Sequence, residues 1–311
     1  MIHSALQLAG KLLSRNKLSI LIYHQVLAEP DPMRPSEPTA AVFDWHMRLL
    51  RDYFAPLSLD DALYHLQRNS LPANAVCVTF DDGYLNNLTV AQPILAKYSI
   101  PATVYIATGF SHGSNMWNDR VIFLFSATER KQLQLDDEIV QLGDWRDRRI
   151  KAQECLKKLK YLPIAQRLEA VDRFYQQNNV TEQPSLMMSP SQIKLLAEHG
   201  IAIGAHTINH PILKVMSEEQ QKQEISSSKH QLESWLEKPI NHFAYPNGGE
   251  NVDFDERTVE IVKQSNFKSA VVTDWGISTP ATSRLKLKRF TPWDKTPARF
   301  HFRLLKNITG L

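Results

Sequence analysis

Two short segments of this chain carry side chains able to do chemistry together. Thr79-Phe80-Asp81-Asp82-Gly83 puts two adjacent carboxylates at the end of the apolar run 75–80. His206-Thr207-Ile208-Asn209-His210 puts two imidazoles at the end of a second run, 201–205. Three of these four groups can hold one divalent cation and leave the fourth as a base, which is the inventory of a mononuclear metal hydrolase centre. Neighbouring side chains of an extended segment point to opposite sides, so one carboxylate can face a metal while the other faces a reacting water. Taken alone, Asp-Asp-Gly reads as a turn whose carboxylate caps the following amides, and two loop histidines read as ordinary polar surface. Together the segments point to a metal. Pro211 and the absence of a Glu after His206 argue against a helical zinc-peptidase motif, so the histidines belong to a strand end leading into a loop.

Short β-branched runs alternate with amphipathic helical stretches, the pattern of a parallel-stranded α/β fold. Strands are expected at 18–23, 76–80, 102–107, 201–205, 242–245, 269–273 and 288–291, and helices at 43–52, 89–97, 191–199, 217–236 and 255–265. Ser217, with Gln220 three residues on and Glu218 and Glu219 between, is a helix start signal. Seven strands with intervening helices suggest an incomplete or distorted barrel, in which chemistry collects at the carboxyl ends of the strands. Residues 116–189 break the alternation; charged and helical in texture, they read as a mostly helical insertion. Residues 1–17 read as an amphipathic helix covering the fold, with a helix lying on a membrane surface as the second reading.

Thr-Phe-Asp-Asp-Gly followed by His-Thr-x-x-His resembles the polysaccharide deacetylases of the NodB-homology type, carbohydrate esterase family 4. The branch it looks closest to is the bacterial one encoded with exopolysaccharide and capsule synthesis. Tyr23-His24, Pro101-Ala102-Thr103, Glu198-His199-Gly200 and Phe243-Ala244-Tyr245-Pro246-Asn247-Gly248 extend the resemblance over most of the chain. It implies a distorted (β/α)7 TIM-like barrel over residues 1–311 that removes N-acetyl groups from an amino sugar. It further implies Asp82, His206 and His210 as metal ligands, Asp81 as general base and the amide of Asn247 as a donor to the oxyanion. The donor set suits zinc, and cobalt, nickel or manganese as well. Tyr245 and Pro246 of the third motif are candidate substrate contacts.

The chain departs from the family pattern in three places. Ala244 stands where many members have an Arg that orients the catalytic Asp; Arg289 is the candidate replacement. Asp274-Trp275 matches the fourth motif only superficially. No histidine follows the last strand until His301, so His24 is the candidate proton donor or substrate contact. Trp275 and Trp293, near predicted strand ends, are candidates for a glycan-facing platform, whereas Trp117 and Trp145 belong to the insertion and read as internal packing.

A net charge of +3 with no basic run interleaved with aromatics excludes nucleic acid as the partner. Only two cysteines, Cys77 and Cys155, are present, so no disulfide framework is expected. The N-terminus lacks the order of a secretory signal and no run approaches a spanning helix. The expected location is therefore cytoplasmic, with peripheral contact at the inner membrane under the second reading of residues 1–17. The expected activity is metal-dependent N-deacetylation of an amino-sugar polysaccharide or of its oligosaccharide or lipid-linked intermediate. The alternatives are removal of a formyl group from a sugar amine, and a glycan-binding protein that has lost turnover.

Overall fold

A computed structural model describes residues 2–126 and 131–309; Met1 and residues 127–130, on which parts of the expected N-terminal helix and insertion fall, lie outside them. In chain order the strands are β1 (Ser19–Tyr23), β2 (Ala55–Pro56), β3 (Ala75–Phe80), β4 (Ala102–Ile106), β5 (Gln132–Leu135), β6 (Glu138–Gln141), β7 (Ala202–Ala205), β8 (His242–Ala244), β9 (Ser269–Trp275) and β10 (Leu287–Arg289). Seven of them pair in parallel in the order β1-β3-β4-β7-β8-β9-β10. The sheet closes on itself where Phe290 N–H donates to Ile20 O (2.7 Å) and Ile22 N–H donates to Phe290 O (3.1 Å). The result is the distorted α/β barrel expected, with all seven predicted strands in place. The two-residue β2, paired to β3, was not foreseen.

Continuous apolar runs make these strands because both faces are buried, as in all-parallel sheets generally; every residue of β1, β3 and β4 is buried. Alternate residues separate two cores. Leu21, Val78, Phe80, Val104, Phe243, Val272 and Phe290 face the surrounding helices. Ile20, Cys77, Tyr105, Ala244, Val271 and Leu287 face inward, where the helix Leu59–Gln67 closes one end with Leu59, Ala62, Leu63 and Leu66. Arg289, two residues after the inward Leu287, follows the same alternation into the interior. Gly204 leaves room there, because a Cβ at that position would stand 2.4 Å from the Tyr105 ring.

The helix Glu218–Leu236 starts with the reciprocal Ser217–Gln220 capping box read from the sequence, and Ser189 and Asp255 open two further helices in the same way. The N-terminal segment forms the helix Ile2–Leu13. It packs on the C-terminal helix Pro297–Thr309 but leaves Ile2, Leu8, Leu12 and Leu13 exposed.

By contact the chain divides into two compact units. The barrel unit comprises Met1–Glu29, Ser36–His112 and Met188–Leu311; the second comprises Pro30–Pro35 and Gly113–Met187. In the second unit the helices Trp117–Ser126, Trp145–Lys160 and Ile164–Gln177 enclose Trp117, Val121, Phe125, Cys155, Val171 and Phe174. Arg34 there bridges Asp31 and Asp119, and β5 and β6 form an antiparallel hairpin. No described helix is long and apolar enough to cross a membrane.

Candidate metal centre

Past β3 the ladder runs one residue further, with Asp81 N–H donating to Tyr23 O at 2.9 Å. Asp82 then takes a left-handed backbone (φ 74°) ahead of Gly83 (φ 90°), so the two carboxylates part. Past β7, His206 N–H donates to Ile106 O at 2.9 Å, and Thr207 (φ 65°) and His210 (φ 50°) are also left-handed. Such a conformation is a genuine outlier for β-branched Thr207 and persists only where surrounding contacts over-determine it. They do so here. The Thr207 hydroxyl donates to His206 O and accepts from His210 N–H, while Glu224 accepts from the amides of Ile208 and Asn209 and from the Asn209 side chain at 2.7–2.9 Å.

The turns bring one atom each of Asp82, His206 and His210 within 4.8 Å of one another. Both imidazole Nε2 atoms lie 3.5 Å from Asp82 Oδ1, too far for a well-formed hydrogen bond. That oxygen is buried and has no hydrogen-bond partner among the described residues. A buried carboxylate oxygen left in this state is costly unless something else satisfies it. His206 Nδ1 is bonded to Ala244 O at 2.7 Å, which assigns the proton to Nδ1 and turns the Nε2 lone pair toward Asp82. Two imidazoles and one carboxylate converging on a common point fit a divalent ion of the zinc type.

Burial opposes charge on all of these groups, and their neighbours decide the outcome. It pushes His210 down to about 4 against the pull of Asp82. It raises the Asp82 carboxyl, but the closeness of His206, His210 and His24 leaves it well below the ordinary range. His206 is raised, because Asp81 and Asp82 outweigh its burial.

Asp81 has a different partner. Arg289, fully buried, donates from Nη1 and Nη2 to the two Asp81 oxygens at 2.7 Å each. Its Nε donates to Val272 O at 2.9 Å, and Nη1 also reaches the Thr79 hydroxyl at 3.4 Å. Burial raises the Asp81 carboxyl, but the Arg289 guanidinium and His206 hold it below the usual carboxylate range. A fork-to-fork pair of this kind fixes both orientation and charge. The guanidinium comes from β10 and lies 6.0 Å from the centre of the Tyr105 ring.

His24, half-buried just past β1, is an electrostatic neighbour of Asp81, Asp82 and His210. Asn247 and Gly248 turn the chain after β8 in left-handed conformations, and Thr273 pins the turn by donating from its hydroxyl to Asn247 O at 2.7 Å and from its amide to Gly248 O at 3.0 Å. Pro246 is buried beside it.

Tyr245 needs correction as a substrate contact. Its ring is wholly buried and stacked on Phe254 (4.0 Å), and its hydroxyl donates to Leu285 O, so it has no surface for a sugar. Trp275 and Trp293 are half-exposed and stack on each other (5.5 Å), with Phe290 against Trp275 and the Arg303 guanidinium within 5 Å of all three rings. Asp274 accepts from Glu250 N–H and so serves a turn rather than an arginine. His301 is buried against Tyr53, Phe54 and His3 as part of the C-terminal helix Pro297–Thr309. Sequence reasoning missed Glu224. Its only signal is that Gln221, Glu224 and Ser228, polar residues at helical spacing, lie on the buried face of their helix.

The polysaccharide deacetylase family matches residues 68–140 and 159–270, more than half of the chain. YxkH of Bacillus subtilis (strain 168) is 23% identical over 265 residues, 85% of this chain and 67% of that protein. A Staphylococcus aureus (strain NCTC 8325 / PS 47) poly-beta-1,6-N-acetyl-D-glucosamine N-deacetylase is 33% identical over 92 residues, 29% of this chain and 31% of that one. Among solved structures, the Streptococcus pyogenes deacetylase PplD in complex with acetate has the same fold: TM-score 0.63 at 22% identity, over 94% of this chain and 98% of that one. The chain belongs to the polysaccharide deacetylase family.

Proposed function

We propose that the chain is a metal-dependent hydrolase removing N-acetyl groups from an amino-sugar polysaccharide or from its oligosaccharide or lipid-linked intermediate. The observation that carries this reading is the buried, unbonded Asp82 Oδ1 facing two imidazole nitrogens, with Asp81 kept out of the cluster by Arg289. Family membership and the S. aureus relative support the substrate class.

Asp82, His206 and His210 would hold the ion, zinc being favoured and cobalt, nickel or manganese also suited to the donor set. A divalent ion at this position supplies Lewis acidity, polarising the amide carbonyl and bringing the pKa of a water toward neutrality. Asp81 accepts the proton of the attacking water as the C–O bond forms. Arg289 keeps Asp81 ionised and oriented for that role, and the Asn247 amide donates to the oxygen that gains charge. His24 returns a proton to the sugar nitrogen as the C–N bond breaks, so that water and amide give amine and acetate. Trp275 and Trp293 offer the half-exposed rings on which a glycan would stack.

The test is acetate release from N-acetylglucosamine oligomers and acetylated lipid-linked sugars, before and after chelation and after zinc is restored, with Asp82→Ala as control. Release that zinc restores to the parent and not to the variant is the expected result. Release untouched by chelation, or equal in the variant, overturns the assignment.

A further inference from the structure

The N-terminal helix Ile2–Leu13 is mounted the wrong way round for a helix that covers a core. Its polar side holds it to the barrel. His3 Nδ1 meets His301 Nδ1 at 3.0 Å, Gln7 O accepts from the Asn74 amide, and Gly10 lies against that same side chain. Just past the helix, Ser14 is buried and accepts from Asn74 N–H at 2.7 Å. The exposed residues are Ile2, Ser4, Ala5, Leu8, Lys11, Leu12 and Leu13, mostly apolar and bordered by Ser4 and Lys11, while Leu6 and Ala9 are partly buried. Leu8 and Leu12 are 63% and 77% exposed. A surface helix of a water-facing protein normally presents the opposite arrangement.

The charge around this face is equally one-sided. The helix packs on the C-terminal helix Pro297–Thr309, which exposes Arg299, Phe302 and Lys306 on its own outer side. Residues 1–28 and 295–311 together contain Lys11, Arg15, Lys17, Lys295, Arg299, Arg303 and Lys306 and not one Asp or Glu. The terminal segments thus carry +7 in a chain whose total is +3, so the remainder is net acidic. Lys11, Arg15, Lys295, Arg299 and Lys306 are in no ion pair among the described residues.

We propose that the paired terminal helices are a membrane-docking surface, on which Ile2, Leu8, Leu12 and Leu13 enter the headgroup–acyl boundary of a bilayer while the cations bind anionic headgroups. An outward apolar face bordered by cations is the signature of a helix lying in a lipid interface. Anionic headgroups supply the charge complement that this surface lacks within its own chain. A second copy does not, since a two-fold contact would set like charges against each other. The proposal does not depend on the deacetylase reading.

The experiment is flotation of the full chain with vesicles of phosphatidylcholine alone and of phosphatidylcholine with phosphatidylglycerol. The chain should float with the anionic vesicles, weakly or not at all with the neutral ones, and lose binding as salt rises. Replacing Lys11 and Arg15 by Ala should weaken anionic binding roughly 25-fold, about fivefold for each cation. Leu8→Ser with Leu12→Ser should cost at least about tenfold. Because all four residues are exposed, thermal melts should match the parent's, separating lost docking from lost folding. Equal binding to both vesicles, none to either, or unchanged binding by the leucine variant would overturn the proposal. So would a dimer in light scattering that the leucine variant dissolves, because the face would then belong to a second copy.

Discussion

Two buried histidines on neighbouring strands of one barrel have opposite fates. His242 opens β8 at its amino end, and both of its nitrogens are satisfied: Nδ1 by the Ser269 hydroxyl at 2.9 Å and Nε2 by Asp60 at 3.3 Å. The Asp60 side chain is mostly open to solvent, so water completes its bonding. His206 follows β7 at its carboxyl end; Nδ1 is bonded to Ala244 O, but Nε2 looks across 3.5 Å at a buried carboxylate oxygen with no partner. Both pairs are an imidazole and a carboxylate. The difference lies in the unsatisfied Asp82 oxygen, the kind of atom that a bound ion would satisfy.

The comparison breaks first at the unsatisfied end. Asp81→Asn should lower kcat by about 10²–10⁴, the usual worth of a general base, with bound zinc retained. His206→Ala and Asp82→Ala should cost at least as much and lose the zinc, read by metal analysis of the purified variants. A His206→Ala protein that keeps stoichiometric zinc and turnover would put it in the same class as His242.

The Arg289–Asp81 pair is next. Arg289→Ala strands a buried carboxylate and should destabilise the fold by about 3–5 kcal/mol in urea unfolding, and kcat should fall with it. In an Asp81→Asn background the same change should cost much less, because no charge is left unpaired. Additive losses would mean that Arg289 supports the barrel through Val272 and Thr79 rather than through Asp81.

Much of this arrangement was legible in the sequence for definite reasons. The seven strands announce themselves because a parallel sheet buried on both faces needs continuous apolar runs, and the four candidate groups stand out because they end two of those runs. Arg289 could be suspected from the missing arginine at Ala244, but only the β10 alternation after Leu287 sends its guanidinium inward. Glu224 left no more than the polar spacing of its helix, since its bonds are to backbone amides of a loop 15 and 16 residues away. Tyr245 misled because its motif continues the strand-end pattern while its ring turns into the helix-facing core. The N-terminal helix has the periodicity of a covering helix; which face it presents depends on Asn74, His301 and Ser14, and no local pattern encodes that.

A smaller effect separates a histidine among rings from one beside a carboxylate. His46 is buried against Phe300 at 4.4 Å, with Tyr23 OH on Nδ1, and burial holds it down to about 3. The unfolded chain binds a proton at this residue from about 6.5 downward and the folded chain does not. Its contribution to stability is therefore whole above 6.5 and is lost toward 3, at about 1.4 kcal/mol per pH unit. His46→Phe should flatten that part of the stability–pH curve between 6 and 4.5 in urea titrations, although its starting stability is lower because Tyr23 loses a partner. An unchanged slope would place the acid sensitivity elsewhere.

The least effect belongs to His242, and it is the sharpest test of the contrast. His242→Asn removes the reach to Asp60 while leaving a polar group for Ser269. Asp60 needs no replacement partner, because its side chain is open to water, so no buried charge is stranded. The cost should be that of one modest hydrogen bond, about 1 kcal/mol, with kcat and bound zinc unchanged. The Asp60 carboxyl, held low first by its bond to His242, should titrate upward in the variant, observable by NMR. A variant that lost zinc or turnover would show that the two ends of the barrel are coupled through β8, from His242 to the Ala244 carbonyl that orients His206. The unsatisfied atom would then no longer be enough to tell a site from a support.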